Sequence, residues 1–140
     1  MRNVTVIRPF APADEDSVVE LWSACGLVRP WNDPRKDIRR KRGVRSDLFL
    51  VAERGDDIVG SVMAGYDGHR GWIYYLAVAP ALRRQGIGRL LTRAAEARLL
   101  AEGCPKVNLQ VRTSNLDVVA FYEALGYSPD DVVSLGKAAD

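Results

Sequence analysis

Arg83-Arg84-Gln85-Gly86-Ile87-Gly88 places two guanidinium groups beside two glycines, between an apolar strand-like run and a long helical pattern. The chemistry of that combination is anion binding. Backbone N–H groups at a helix start lack partners, and the helix dipole makes that end partly positive. Glycines let a bulky anion approach the backbone closely, and arginines add charge and fork-shaped donors. A pyrophosphate is the natural ligand for such a loop. The same residues also fit a plain strand-to-helix turn, with glycines for geometry and arginines in water. A dinucleotide fingerprint would need a third glycine at position 91, which is Leu91, and no Gly-Lys-Ser/Thr follows. Both of those phosphate loops are excluded.

The elements that would hold this loop can be read from apolar periodicity. Val4 to Arg8 is β-branched and stops at Pro9, as a short strand does. Acidic residues Asp14-Glu15-Asp16 open a helix carrying Val18, Leu21, Trp22 and Cys25, which Gly26 ends. Asn32-Asp33-Pro34 starts a second helix, with a capping side chain ahead of proline. Strands follow over 48–53, 58–66 and 72–78, joined by the polar turns 54–57 and 67–71. Residues 86–102 carry the stripe Ile87, Leu90, Leu91, Ala94, Ala95 and Leu99, and Gly103 stops it. Strand over 106–111, helix over 115–125 and a last strand over 132–135 complete the order β-α-α-β-β-β-α-β-α-β. Three strands joined by tight turns must be antiparallel, whereas strand–helix–strand from Trp72 to Val111 calls for a parallel crossover. A mixed α/β sheet with helices on both faces accommodates both.

At 140 residues the chain is sized for one domain, 1–140, with a single sizeable core. Hydrophobic residues at 47% and charged residues at 27% exclude disordered and fibrous classes. The longest uncharged stretch, Gly71 to Leu82, is far short of a bilayer span, and Met1-Arg2-Asn3-Val4 lacks the apolar run of a signal peptide. Cys25 and Cys104 have no metal-site spacing and suit small core positions, so no metal is expected and a cytoplasmic location is. A net charge of +2 does not argue for nucleic acid. The run Arg35-Lys36-Asp37-Ile38-Arg39-Arg40-Lys41-Arg42 reads as a solvated helix face, or as a means of steering an acidic substrate, a ribose phosphate or nucleic acid. Nucleic acid is the least favoured of these, because no aromatic platform interleaves the bases.

Two motifs together carry a family resemblance. Tyr75-Leu76-Ala77-Val78-Ala79-Pro80 followed by Arg83-x-x-Gly86-x-Gly88 resembles motif A of the GNAT (general N-acetyltransferase) superfamily. Asn115-x-x-Val118-x-x-Phe121-Tyr122-x-x-x-Gly126-Tyr127 is similar to its C-terminal signature. Residues 29–34 and 65–71 further resemble the bacterial YpeA-like subgroup.

The resemblance implies a bulged fourth strand that splays from the fifth and opens an acetyl-CoA cleft. Leu76, Ala77 and Val78 would then give main-chain contacts to the pantetheine arm, and one N–H would polarise the thioester carbonyl. Arg83, Arg84, Gln85, Gly86, Ile87 and Gly88, with Arg89 nearby, would hold the pyrophosphate, and Asn115 would touch the pantetheine region. Tyr122 would protonate the departing thiolate, a transfer that phenol and thiol pKa values near 10 and 8.5 permit. Taken alone, a tyrosine on such a helix is a core residue. Trp31, Asn32, Tyr66 and Tyr74 lie where the family forms its acceptor wall, although a loop tryptophan can also be a packing plug.

The general base is unassigned. Many family members place a glutamate near the start of the fourth strand, where this chain has Arg70-Gly71-Trp72. Glu53, Asp67, His69, a water chain or an amine that arrives neutral are the alternatives. The implied partners are acetyl-CoA, as acetyl donor, and an amine acceptor, either a small molecule or a protein amine. A homodimer is open, and no membrane is implied. The implied reaction is direct N-acetyl transfer through a tetrahedral intermediate. The rival reading is a CoA-binding sensor or interaction module with little turnover. A third is a basic nucleic-acid module using the segment from Arg35 to Arg45.

Overall fold

The computed structural model describes residues 4–139. By internal packing these form a larger unit up to Gln110 and a smaller one from Val111. The larger unit is built on a five-stranded sheet in the order β1-β2-β3-β4-β5. Its strands are β1 (Thr5–Pro9), β2 (Phe49–Arg54), β3 (Asp57–Tyr66), β4 (Gly71–Val78) and β5 (Val107–Leu109). The first four pair antiparallel in succession, and β5 pairs parallel to β4. Tight turns and the crossover thus dictate strand direction as the sequence requires.

Both faces of the sheet are covered, which is why Leu48 to Ala52 is an almost unbroken apolar run. Side chains alternate along β2. Leu50 and Ala52 join one core with Val62, Ile73 and the helix α3 (Ile87–Ala101). Phe49 and Val51 join the other with Met63 and the helices α1 (Glu15–Ala24) and α2 (Pro34–Arg42), through Val18, Leu21, Trp22 and Ile38. Phe49 stacks on Phe10 with centroids 4.4 Å apart. α2 begins as its sequence prescribes, with the Asp33 carboxylate accepting from the N–H groups of Arg35 and Lys36.

α3 lies close to the sheet. A Cβ on Gly60 would sit 2.8 Å from Leu91 Cδ1 and 3.1 Å from the Ala77 carbonyl oxygen, so no larger residue fits beneath the helix. The buried stripe is Ile87, Leu91, Ala95 and Leu99 with Thr92. Leu90, expected in that stripe, is half exposed because the i, i+4 row turns away from it toward Thr92.

In the smaller unit, α4 (Leu116–Ala124) follows the expected helix to within a residue at each end. The strand predicted over 132–135 is absent: no strand follows α4 among the described residues. Val132, Val133 and Leu135 are exposed. Two adjacent valines lack the strict alternation of a half-buried strand, and apolar residues cannot define one without a ladder partner.

Candidate active site

The sheet loses its regularity at one place. On β3, Ser61 pairs with Ala77 and Met63 with Tyr74, so two residues step against three and β4 bulges at Tyr75–Leu76. Tyr75 carries the extra residue's strain in a left-handed backbone, φ 50°. A buried chain of contacts holds it there. The Trp22 indole N–H donates to Ser61 Oγ at 2.8 Å, and Ser61 Oγ donates to the Tyr75 carbonyl at 2.9 Å. The Trp22 and Tyr75 rings stack with centroids 3.9 Å apart.

The parallel ladder from β4 to β5 ends at Ile73↔Leu109, just before the bulge. From Tyr74 to Val78 no described strand pairs with β4 on the side away from β3. Leu76 and Val78 are half-buried there and Ala77 is buried. The thiol of Cys25 donates to the Val78 carbonyl at 3.3 Å.

Downstream of β4, the loop 83–86 turns into α3. Arg84 and Gly86 adopt positive φ of 67° and 84°. Gly86 is the N-cap and supplies no side-chain acceptor, so the first-turn N–H groups of α3 keep their free valence. A Cβ on Gly86 would meet nothing within 4 Å, which leaves open space in front of them. Arg83, Arg84 and Arg89 are exposed, with no carboxylate among the described residues paired to them. Gln85 differs from its neighbours: its Oε1 accepts from Arg54 Nη1 at 3.1 Å, which ties the loop to β2.

On the face that carries α2, the bulge borders a groove with two adjoining cavities of about 360 and 260 Å³. Asp37, Lys41 and Tyr75 line the first, and Tyr66 and Trp72 the second, while Lys41, Val44 and Tyr74 border both. Tyr75 OH donates to Asp37 Oδ2 and accepts from Asn32 Nδ2 at 2.8 Å. Burial, reinforced by the Asp37 carboxylate, pushes the Tyr75 phenol up to about 12. Asp37 also takes a hydrogen bond from Arg40. Lys41 Nζ donates to the Ala64 carbonyl, and burial, with repulsion from Arg45, lowers its pKa.

Of the four aromatic and amide residues expected at an acceptor wall, Tyr66 and Tyr74 line the groove and Asn32 reaches its edge. Trp31 is 70% exposed, with the Arg29 guanidinium over its ring, and lines neither cavity. Asp37, Lys41 and Tyr75 were not singled out from sequence. A signal existed for two of them: positions 34, 37, 38 and 41 follow helical spacing around buried Ile38, which turns Asp37 and Lys41 toward the sheet.

Two of the base candidates, Glu53 and Asp67, are occupied elsewhere. Glu53 accepts from Arg8 at 3.2 and 3.3 Å. Asp67 shapes its turn by accepting from the N–H groups of His69 and Arg70, which hold its carboxyl below the usual range. His69 is exposed in that turn. Among the described residues, no group of three or more His, Cys, Asp or Glu could hold a metal ion, and no helix is long and apolar enough to cross a membrane.

Within the smaller unit, Asn115 caps α4 by position without a side-chain hydrogen bond. Tyr122 is buried, and its ring meets Phe121 and Tyr127 edge-on at 5.1 and 5.5 Å. Burial raises its phenol pKa, so it stays protonated through the neutral range.

A mixed sheet, a bulged strand whose far edge is open, and an uncapped helix N-terminus flanked by arginines without ion pairs among the described residues suit an extended ligand that ends in an anionic group. The acetyltransferase (GNAT) family profile matches residues 16–127, through both units, and this chain belongs to that family. An acetyltransferase of Pectobacterium atrosepticum is 52% identical over 131 residues, covering 94% of this chain and 93% of its own. Among solved structures, Naa20 of Chaetomium thermophilum is 31% identical with a TM-score of 0.71, covering 88% of this chain and 70% of that one. Ard1 of Thermoplasma volcanium is 25% identical with a TM-score of 0.77, covering 89% of this chain and 82% of that one. Membership of this family implies acetyl-CoA as the cosubstrate.

Proposed function

We propose that the chain, working as one domain over 1–140 and resembling the YpeA-like subgroup, transfers an acetyl group from acetyl-CoA directly to a primary amine. One observation carries this reading: the bulged, unpaired edge Tyr74–Val78 leads into the open N-terminus of α3 and its unpaired arginines. Bound acetyl-CoA supplies the thioester that is cleaved. Main-chain groups of Leu76, Ala77 and Val78 bind its pantetheine arm as a further strand would, and one N–H stabilises charge developing on the acyl oxygen. The N–H groups of Ile87 and Gly88, opened by Gly86, hold the pyrophosphate with Arg83, Arg84 and Arg89. Gln85 positions that loop through Arg54. Asn115 contacts the pantetheine region. The acceptor nitrogen forms the new N–C bond as the C–S bond breaks, and Tyr122 gives its proton to the departing sulfur. The acceptor sheds its own proton to water.

The engagement of Glu53 and Asp67, the two carboxylates considered as general base, favours one rival, a CoA-binding sensor with little turnover. Thermal unfolding with and without acetyl-CoA, followed by release of free CoA in an amine screen, separates the two. A ligand at 100 times its Kd stabilises by about 2.7 kcal/mol. A shift with CoA release supports transfer, and a shift without release on any amine supports the sensor. No shift refutes both.

A further inference from the structure

Among the described residues, the groove beside the bulge holds a cation that makes no ion pair. Asp37 is neutralised by Arg40 and hydrogen-bonded by Tyr75 OH. Arg45 at the far end is taken by Asp47 and Glu102. Asp67 is held by turn N–H groups. Lys41, which borders both cavities, is half-buried and donates to the neutral Ala64 carbonyl; among the described residues no carboxylate forms an ion pair with it, and the attraction of Asp47, itself paired with Arg45, is outweighed by burial and by repulsion from Arg45. A partly desolvated ammonium without a carboxylate in contact is unfavourable, and an anion arriving in the groove relieves it.

We propose that the acceptor is a small primary amine that also carries an anionic group, and that Lys41 binds that group. This rests on the acetyltransferase reading. Asp37 and Lys41 are one helical turn apart, so their Cβ atoms are about 5–6 Å from each other. An acceptor whose amine and anion are a few bonds apart can therefore lie with its amine at the Asp37–Tyr75 end of the groove and its anion on Lys41. Tyr75 bonds Asp37 and immediately precedes Leu76, so the amine end lies toward the bulge. A volume of about 360 Å³ suits a molecule of amino-acid size. A polyamine would instead bring like charge to Lys41, Arg40 and Arg45, and is selected against.

The test compares kcat/KM at saturating acetyl-CoA for matched acceptors: β-alanine against β-alaninamide, O-phosphoethanolamine against ethanolamine, and putrescine. An Asp-bearing peptide against its Asn counterpart tells a free acceptor from a peptide N-terminus. The anionic member of a pair should lead by about tenfold or more, the value of one charge-assisted hydrogen bond. Lys41→Met keeps the apolar stem and should bring that ratio close to one, and Lys41→Arg should restore it in part. Equal or better use of the neutral members or putrescine overturns the proposal. So does a Lys41→Met enzyme that keeps the ratio, or acetylation of none of the anionic amines. Should Lys41→Met fail to fold, the wild-type ratios decide alone. Absence of a thermal shift with acetyl-CoA marks the different failure, that of the acetyltransferase reading itself.

Discussion

Ser61→Ala removes a single oxygen from the hinge of the site. That oxygen accepts from the Trp22 indole at 2.8 Å and donates to the Tyr75 carbonyl at 2.9 Å. Ser61 and Trp22 are fully buried, so water cannot replace it on the indole side. A buried donor left without a partner costs about 1–3 kcal/mol. The Tyr75 carbonyl, on a half-buried residue, can recover a bond from solvent and adds little. For a domain of this size, that loss corresponds to a fall in Tm of roughly 4–12 °C. Urea unfolding should show a lower midpoint at an unchanged slope. Trp22→Phe removes the orphaned N–H, so Ser61→Ala should cost less in that background, with a coupling energy of about 1 kcal/mol. Without its tether the left-handed Tyr75 relaxes, and the stabilisation by acetyl-CoA should shrink as well. Stability within about 0.5 kcal/mol of wild type, additive with Trp22→Phe, would refute the claim that this chain of contacts holds the bulge.

Gly86→Val puts a β-branched residue at φ 84°, at a cost of about 1–2 kcal/mol. Its Cβ points into open space, so the domain should fold and lose its thermal response to acetyl-CoA; a normal response would remove the loop from the site. Tyr122→Phe should lower kcat while leaving acetyl-CoA affinity nearly intact, and unchanged kcat would remove Tyr122 from the chemistry. Because burial raises the Tyr122 pKa, the pH profile of kcat should show no alkaline loss from this group below pH 10. The Asp14 carboxyl is held low by its two hydrogen bonds from Arg8, aided by the Ala11 N–H. The unfolded state therefore takes up the proton first as pH falls: stability is present above about pH 4 and is lost as pH drops through the folded-state pKa. Asp14→Asn should flatten this acid limb of the urea midpoint; a limb of unchanged steepness would contradict the assignment.

Legibility in the sequence followed the length of each pattern. The antiparallel β2-β3-β4 run and the α3 crossover were readable because apolar alternation, polar turns and a helical stripe all agree there. The turn into α3 was readable because its glycines and arginines each bring a distinct property to it, and Gly86 does adopt the positive φ that such a turn uses. Three things were not. The bulge depends on a tyrosine in a conformation that tyrosine rarely adopts, held by contacts from residues remote in sequence, Trp22 and Ser61 among them. The roles of Asp37 and Lys41 were masked by a charge run whose neighbours do face water. The segment 132–135 carried strand-forming residues but found no ladder, which no local pattern can foretell.

The site arises where the sheet gives up regular pairing, and one residue links the consequences. A left-handed non-glycine residue costs about 1–2 kcal/mol, so Tyr75 needs compensation on the spot. Its backbone receives that from Ser61 and its ring from Trp22. The bulge increases local twist, and the ladder to β5 stops one residue short of it, which leaves the edge of β4 open to an incoming chain. The same side chain, projected onto the other face, ends on Asp37 and Asn32 at the wall of the groove. The backbone of Tyr75 thus sets the geometry of the open edge while its hydroxyl orients the Asp37 carboxylate at the wall of the groove. A substitution that frees either end should disturb both binding events, because the strain that opens one surface is held by contacts that build the other.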